Sequence, residues 1–252
     1  MPPTSRRGRS LWFILPVLAM VLAIWACASS PTFTHQPAAQ LRLGITIVAQ
    51  YTGNTNVVLF DTSMFDDTTN RPVLPPDDAR LTCEGADVTP DGQAGMRECP
   101  RQPAGGAYRF TYTDEHGVAT SVVVPIPQGT VALLAPRVGD HVAIPASKTL
   151  AVRYIAPEPP PGGSVTIDEV RAVCGEMTTP PCGEVSFAPH TATVVSGGES
   201  VFPLTGDFSS FRPGEGMVDI TVATHSQGGQ SGFAGVDVTF TDSVSAPITW
   251  TR

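Results

Sequence analysis

Residues 105–127 read GGAYRFTYTDEHGVATSVVVPIP. Tyr108, Phe110 and Tyr112 alternate with Arg109 and Thr111, the polar run from Asp114 ends at Gly117, and Val118, Thr120, Val122 and Val124 resume the alternation. Successive strand side chains point to opposite faces, so two period-two runs around a Gly-containing break predict a β-hairpin. The same period recurs upstream. Leu41, Leu43, Ile45, Ile47 and Ala49 fall on one face, with Arg42, Thr46 and Gln50 on the other, which predicts a half-buried strand. Val57 to Phe60 and Ala79 to Val88 are further strand candidates, separated by a polar loop that holds Asp66, Asp67, Asn70 and the Pro75-Pro76 pair.

Downstream, Pro125 to Thr130 (PIPQGT) reads as a boundary. Three short strands are expected at Val131 to Pro136, His141 to Pro145 and Thr149 to Ala156, before the PEPPPGG turn at 157–163. Val165, Ile167 and Val173 lead into Cys174, and strands are expected at Ser200 to Thr205, Gly216 to Thr224 and Phe233 to Thr241, the last two separated by a Gly/Gln/Ser loop at 226–232. No long helical period appears after the first 27 residues. The expectation is an all-β chain of two β-sandwich domains, 41–127 and 130–252, behind an N-terminal hydrophobic signal helix.

The chain has 252 residues with 15 Lys+Arg against 23 Asp+Glu, a formal net charge of −8. Three of its basic residues, Arg6, Arg7 and Arg9, precede the first apolar run. Such an excess of acid argues against nucleic acid as a partner, since phosphate binding needs Lys and Arg to displace counterions. It argues equally against a polybasic membrane-surface protein.

Residues 11–27 (LWFILPVLAMVLAIWAC) carry no charge. A basic start, an apolar run and then small residues form a secretory signal pattern. Ile24-Trp25-Ala26-Cys27 resembles the lipobox of bacterial lipoproteins, with Trp25 departing from the usual pattern. The resemblance implies a signal peptide over 1–27, a diacylglycerol on the Cys27 sulfur and cleavage before it. Two alternatives stay open. Cleavage after Ala28 at Ala26-Cys27-Ala28 would release a soluble secreted protein, and an uncut run would be a membrane anchor, at about the lower length limit for a spanning helix. Residues 28–40, polar and small, are expected to be a flexible tether.

With Cys27 set aside, Cys83, Cys99, Cys174 and Cys182 remain, an even number that implies disulfides in an exported chain. Three connectivities are open, of which nearest-neighbour pairing is the simplest because each pair then lies inside one expected domain. A four-thiolate zinc site is disfavoured by the absence of any C-x-x-C knuckle.

Gly106, Tyr108, Phe110, Tyr112, Asp114 and Gly117 resemble the last two strands of bacterial immunoglobulin-like surface domains, and Phe211-Arg212-Pro213-Gly214 resembles a turn of fibronectin type III-like domains. Both resemblances imply that the two expected domains are immunoglobulin-like β-sandwiches, and they imply no particular activity.

Residues with chemistry are sparse. His35, His116, His141, His190 and His225 include no pair at metal-binding spacing, and Gly228-Gly229-Gln230-Ser231-Gly232 does not match the G-x-S-x-G nucleophile pattern. Asp61, Asp66 and Asp67 cluster near Asn70 as weak calcium candidates, against the alternative of a solvated acidic loop. No catalytic residue and no cofactor are expected. The resulting expectation is a lipid-anchored extracytoplasmic protein, not an enzyme. It would bind a protein or glycan at the cell surface or in the periplasm, or organise the envelope, through loops at 61–78, 91–106, 157–163 and 226–232. The alternative is an accessory module or weak enzyme acting on polysaccharide or cell-wall material.

Overall fold

The computed structural model describes residues 32–49, 57–91, 96–103, 105–175, 182–188, 193–195, 197–227 and 232–252. The expected signal peptide, Cys27 and the start of the expected tether lie outside these residues. Within them the chain is all-β, with one short 3-10 turn at Ala38–Gln40.

The first half contains β1 (Thr32–Phe33), β2 (Leu41–Ala49), β3 (Val57–Asp66), β4 (Pro72–Leu74), β5 (Arg80–Cys83), β6 (Ala86–Asp87), β7 (Arg97–Pro100), β8 (Ala107–Thr113) and β9 (Ala119–Pro125). The second half contains β10 (Ala132–Ala135), β11 (His141–Ala143), β12 (Thr149–Ala156), β13 (Ser164–Cys174), β14 (Gly183–Phe187), β15 (Thr193–Val195), β16 (Gly198–Thr205), β17 (Gly214–Gln227) and β18 (Gly235–Thr251). The hairpin of 105–127 forms as its alternation requires. Tyr108, Phe110, Tyr112, Val122 and Val124 are buried, while the Asp114 carboxylate accepts the amides of His116 and Val118 and Gly117 takes a positive φ.

One long sheet runs through the whole molecule in the order β1-β4-β3-β2-β18-β17-β13-β14. Two smaller sheets cover it, β6-β5-β8-β9 beside the first half and β10-β12-β16 beside the second. Two apolar cores result. The first joins Leu41, Leu43, Ile45, Ile47 and Phe60 to Leu81, Phe110 and Tyr112; the second joins Val218, Ile220, Val222 and Trp250 to Val152, Tyr154 and Leu204. Layered sheets of this kind bury the apolar face that each strand carries on alternate residues.

The division into self-contained domains at 41–127 and 130–252 does not describe this pairing. β18 runs parallel to β2 from Gly235↔Arg42 to Asp242↔Ala49, so the C-terminal strand completes the sheet of the first half. Val236, Val238 and Phe240 of β18, with Phe233 just before it, belong to the first core, whereas Ala246, Ile248 and Trp250 of β18 belong to the second. At 17 residues, β18 extends ten residues beyond the expected end at Thr241 and spans roughly 55 Å, enough to reach both cores. Its partner β17 is buried on both faces along its middle, as a central strand must be.

Three further expectations are revised. Residues 61–66 continue β3 instead of forming a loop, because β2 pairs with them as far as Leu41↔Asp66. The last residues of the expected tether are folded: β1 pairs parallel with β4, Thr34 and Ala38 are buried, and Gln36 donates to Asp66. Strands β4 and β7 also occupy parts of the expected loops 61–78 and 91–106.

Both disulfides follow the nearest-neighbour pairing. Cys83–Cys99 ties β5 of the covering sheet to β7 of the long sheet, and Cys174–Cys182 closes the connection between β13 and β14.

Candidate functional site: the cleft between the two covering sheets

Register fixes which side chains of the long sheet face inward. Ile47 of β2 pairs with Phe240 of β18, and Phe240 pairs with Thr224 of β17, so all three project to the same side. Asp242 follows Phe240 by two residues and faces that side as well. Here the first covering sheet has ended and the second has not begun. The connector between the halves, residues 126–130, crosses this gap. It is held by paired backbone hydrogen bonds between Gln128 and Glu158 at 2.8 and 3.0 Å.

The gap is a cavity of about 300 Å³. Its floor is Ile47, Val58, Thr224, Phe240 and Asp242 from the long sheet. Tyr108 and the segment Arg101–Pro103 form one wall, and Ile126, Pro127, Gly129, Thr130 and Pro157 complete the lining. Most of this surface is apolar. Prolines suit such a place because their rings pack without bringing an amide that needs a partner.

The polar groups are few and placed. The Asp242 side chain is buried, and its Oδ2 accepts the Val131 amide at 2.8 Å, linking the end of the first half's sheet to the first residue after the connector. Burial raises the carboxyl pKa, opposed by the backbone amides of Val131 and Ser243 and by the Arg101 guanidinium. The Tyr108 hydroxyl accepts the Gln102 amide at 3.3 Å, and burial pushes the phenol pKa upward. An apolar hollow of this size with one buried carboxylate and a neighbouring cation can hold a small amphipathic molecule.

The residues singled out from sequence lie elsewhere. Asp61 sits on β3 opposite Thr46, and Asp66, five residues on, is on the other face roughly 17 Å away. The Asp66 carboxylate is already engaged, accepting the Thr69 amide at 2.7 Å and the Gln36 side-chain amide at 2.6 Å, and these bonds hold its pKa below the ordinary range. The backbone amide of Asp67 donates to Gln40. The three aspartates therefore do not converge, and among the described residues no three His, Cys, Asp or Glu side chains are grouped to hold a metal ion.

Of the histidines, His225 has the most structured setting. It lies on the outer face of the long sheet, with Nε2 3.0 Å from the Thr166 hydroxyl and Nδ1 3.2 Å from that of Thr239. His35 and His116 are exposed near Glu115. Positions 228–231 of the Gly/Ser loop, like Cys27, fall outside the described residues.

Neither Asp242 nor Arg101 stands out in a motif search. A sign of Asp242 was nevertheless present: Val236, Val238 and Phe240 are apolar at period two, and the next position in that register is a carboxylate. A charge that continues an inward-facing row needs partners in the folded state.

No protein-family model matches the chain, and no curated protein matches it either. Among the described residues no helix is long and apolar enough to cross a membrane.

Proposed function

We propose that this chain is an exported, lipid-anchored protein whose immunoglobulin-like sandwich units serve binding or envelope organisation instead of catalysis. Cys27 is the attachment point in this reading, residues 1–27 are the signal peptide, and the folded part is held close to the membrane surface. The two disulfides support an oxidising, extracytoplasmic environment, where such bonds persist.

The observation that carries the binding role is the strand shared by both halves. Because β18 pairs with β2 and β17 at once, the two units form one continuous sheet instead of beads on a linker. The cleft between the covering sheets is thereby held in a fixed shape, and preorganised recognition surfaces lose less entropy on binding. The connector at 126–130 and Pro157, where the turn at 157–163 begins, line this cleft and would present its rim to a protein or glycan partner.

Intact mass of the membrane-extracted protein tests the anchor: a diacylglyceryl-modified Cys27 is expected, and Cys27→Ala should release the protein from the membrane fraction. Crosslinking on whole cells tests the partner, with capture expected to be lost when residues 126–130 and 157–163 are replaced. An unmodified Cys27 in a cytosolic product would overturn the reading. Turnover of envelope polysaccharide by the purified protein would replace it with the enzymatic one.

A further inference from the structure

The geometry points to the cleft between the covering sheets as a binding site for a small organic amine with an apolar body, its cationic nitrogen facing the Asp242 carboxylate. This deepens the binding role proposed above by naming a ligand class.

Size comes first. A cavity of about 150 Å³ lined by aliphatic and aromatic side chains admits benzene, so one of about 300 Å³ takes a body of roughly two fused rings. Ile47, Val58, Tyr108, Ile126 and Phe240 supply the apolar contact, and they come from the long sheet, the first covering sheet and the connector. Pre-formed hollows with this balance of apolar wall and few polar groups are the common form of small-molecule sites.

Charge decides the class. Asp242 is buried, lines the cavity and projects from the middle of a paired strand, so it cannot swing out to water without breaking the sheet. Its Oδ2 takes the Val131 amide. Burial still disfavours its ionised form against the help of two backbone amides and of Arg101. A ligand ammonium group offers charge-assisted donors to such a carboxylate, the stronger kind of hydrogen bond. A ligand carboxylate would face Asp242 instead, and like charges brought together in a desolvated site repel. The Arg101 guanidinium also lines the cavity, but it acts on Asp242 less strongly than burial and the two backbone amides do. The excess of acid over base in the whole chain also raises the local concentration of cations.

The test is isothermal titration of the purified full chain in detergent with three matched indoles: tryptamine, the uncharged tryptophol and the anionic indole-3-acetate. Tryptamine is expected to bind about ten-fold or more tightly than tryptophol, the ratio for one charge-assisted contact, with indole-3-acetate weakest. Asp242→Asn should bring tryptamine down to the level of tryptophol, since the amide keeps the shape and an acceptor for Val131 but loses the charge. Thr130→Trp places a large ring at the exposed side of the cavity, which Thr130 lines, and should abolish binding of all three, which keeps the proposal testable if Asp242→Asn folds poorly. Equal binding of the three indoles, tightest binding of the acid, unchanged tryptamine affinity in Thr130→Trp, or no binding by a folded protein would each overturn it. None of these results bears on Cys27 or on crosslinked partners, so failure here is distinct from failure of the anchored-binding reading.

Discussion

Trp250 donates its indole N–H to the carbonyl of Val173 at 2.9 Å, joining the last strand of the chain to β13 across 77 residues. The ring is fully buried and meets Phe211 edge-on at 5.1 Å between centroids. Gly216 makes room for it: a Cβ there would collide with Nε1 and Cδ1 of Trp250 and come within 2.6 Å of the Val173 oxygen. Backbone on one side and a rigid ring on the other leave no soft direction for relief. Gly216→Ala is therefore expected to cost about 1–3 kcal/mol as an overpacked site, and Trp250→Ala about 3–5 kcal/mol as a cavity. Urea denaturation of both variants checks these values.

The shared strand makes the first half depend on the C-terminus. A fragment ending at Pro127 lacks Phe233, Val236, Val238 and Phe240 and leaves the edge of β2 unpaired. Such a fragment is expected not to fold, which an amide spectrum without chemical-shift dispersion would record. The full chain should unfold in one transition, with the signals of Tyr108 and Trp250 lost together. Two separated transitions would show that the halves are energetically independent.

The two disulfides differ in the loop each closes. Cys83 and Cys99 are 16 residues apart and Cys174 and Cys182 are 8 apart. In the chain-entropy description the first contributes about 3 kcal/mol and the second about 2.5 kcal/mol. The first also crosses between layers, so Cys83→Ala/Cys99→Ala should lower the unfolding midpoint more than Cys174→Ala/Cys182→Ala.

Protonation of Asp242 gives a pH signature. Its folded pKa lies above the ordinary 3.8, so its stabilising contribution is full below about that value and is lost as pH rises through the raised one. Asp66, Asp87 and Asp207 act in the opposite sense. Hydrogen bonds hold their pKa values down, so what they contribute is present above about 3.8 and is lost on acidification. Asp242→Asn removes only the first effect. The stability of this variant relative to the parent should therefore increase between pH 4 and pH 7, measured by urea unfolding at each pH. A difference that stays constant over that range would mean that Asp242 does not carry a raised pKa in the folded protein.

Alternation at period two was legible wherever it was strong. Leu41 to Ile47, Tyr108 to Tyr112 and Val122 to Val124 are buried on the faces their spacing assigns. The stretch 61–66 was not legible as strand, because Asp61 and Asp66 carry weak strand preference and pairing with β2 and β4 holds the segment extended. The acidic cluster misled for a related reason. Closeness in sequence puts Asp61 and Asp66 on opposite faces once the segment is extended, and Asp66 serves the turn that follows it.

By itself, then, the order of residues determined the all-β class, the inward face of its clearest strands, the turn at Asp114–Gly117 and the set of cysteines available for pairing. Tertiary structure alone decided that β18 lies beside β2, that Cys83 meets Cys99 across two layers, and that Asp242 and Arg101 reach one cleft. The physical reason is that side-chain period states which way a residue points but not which strand comes to lie next to it. A parallel pairing across nearly the whole chain is settled by the burial it completes, and burial is a property of the assembled fold.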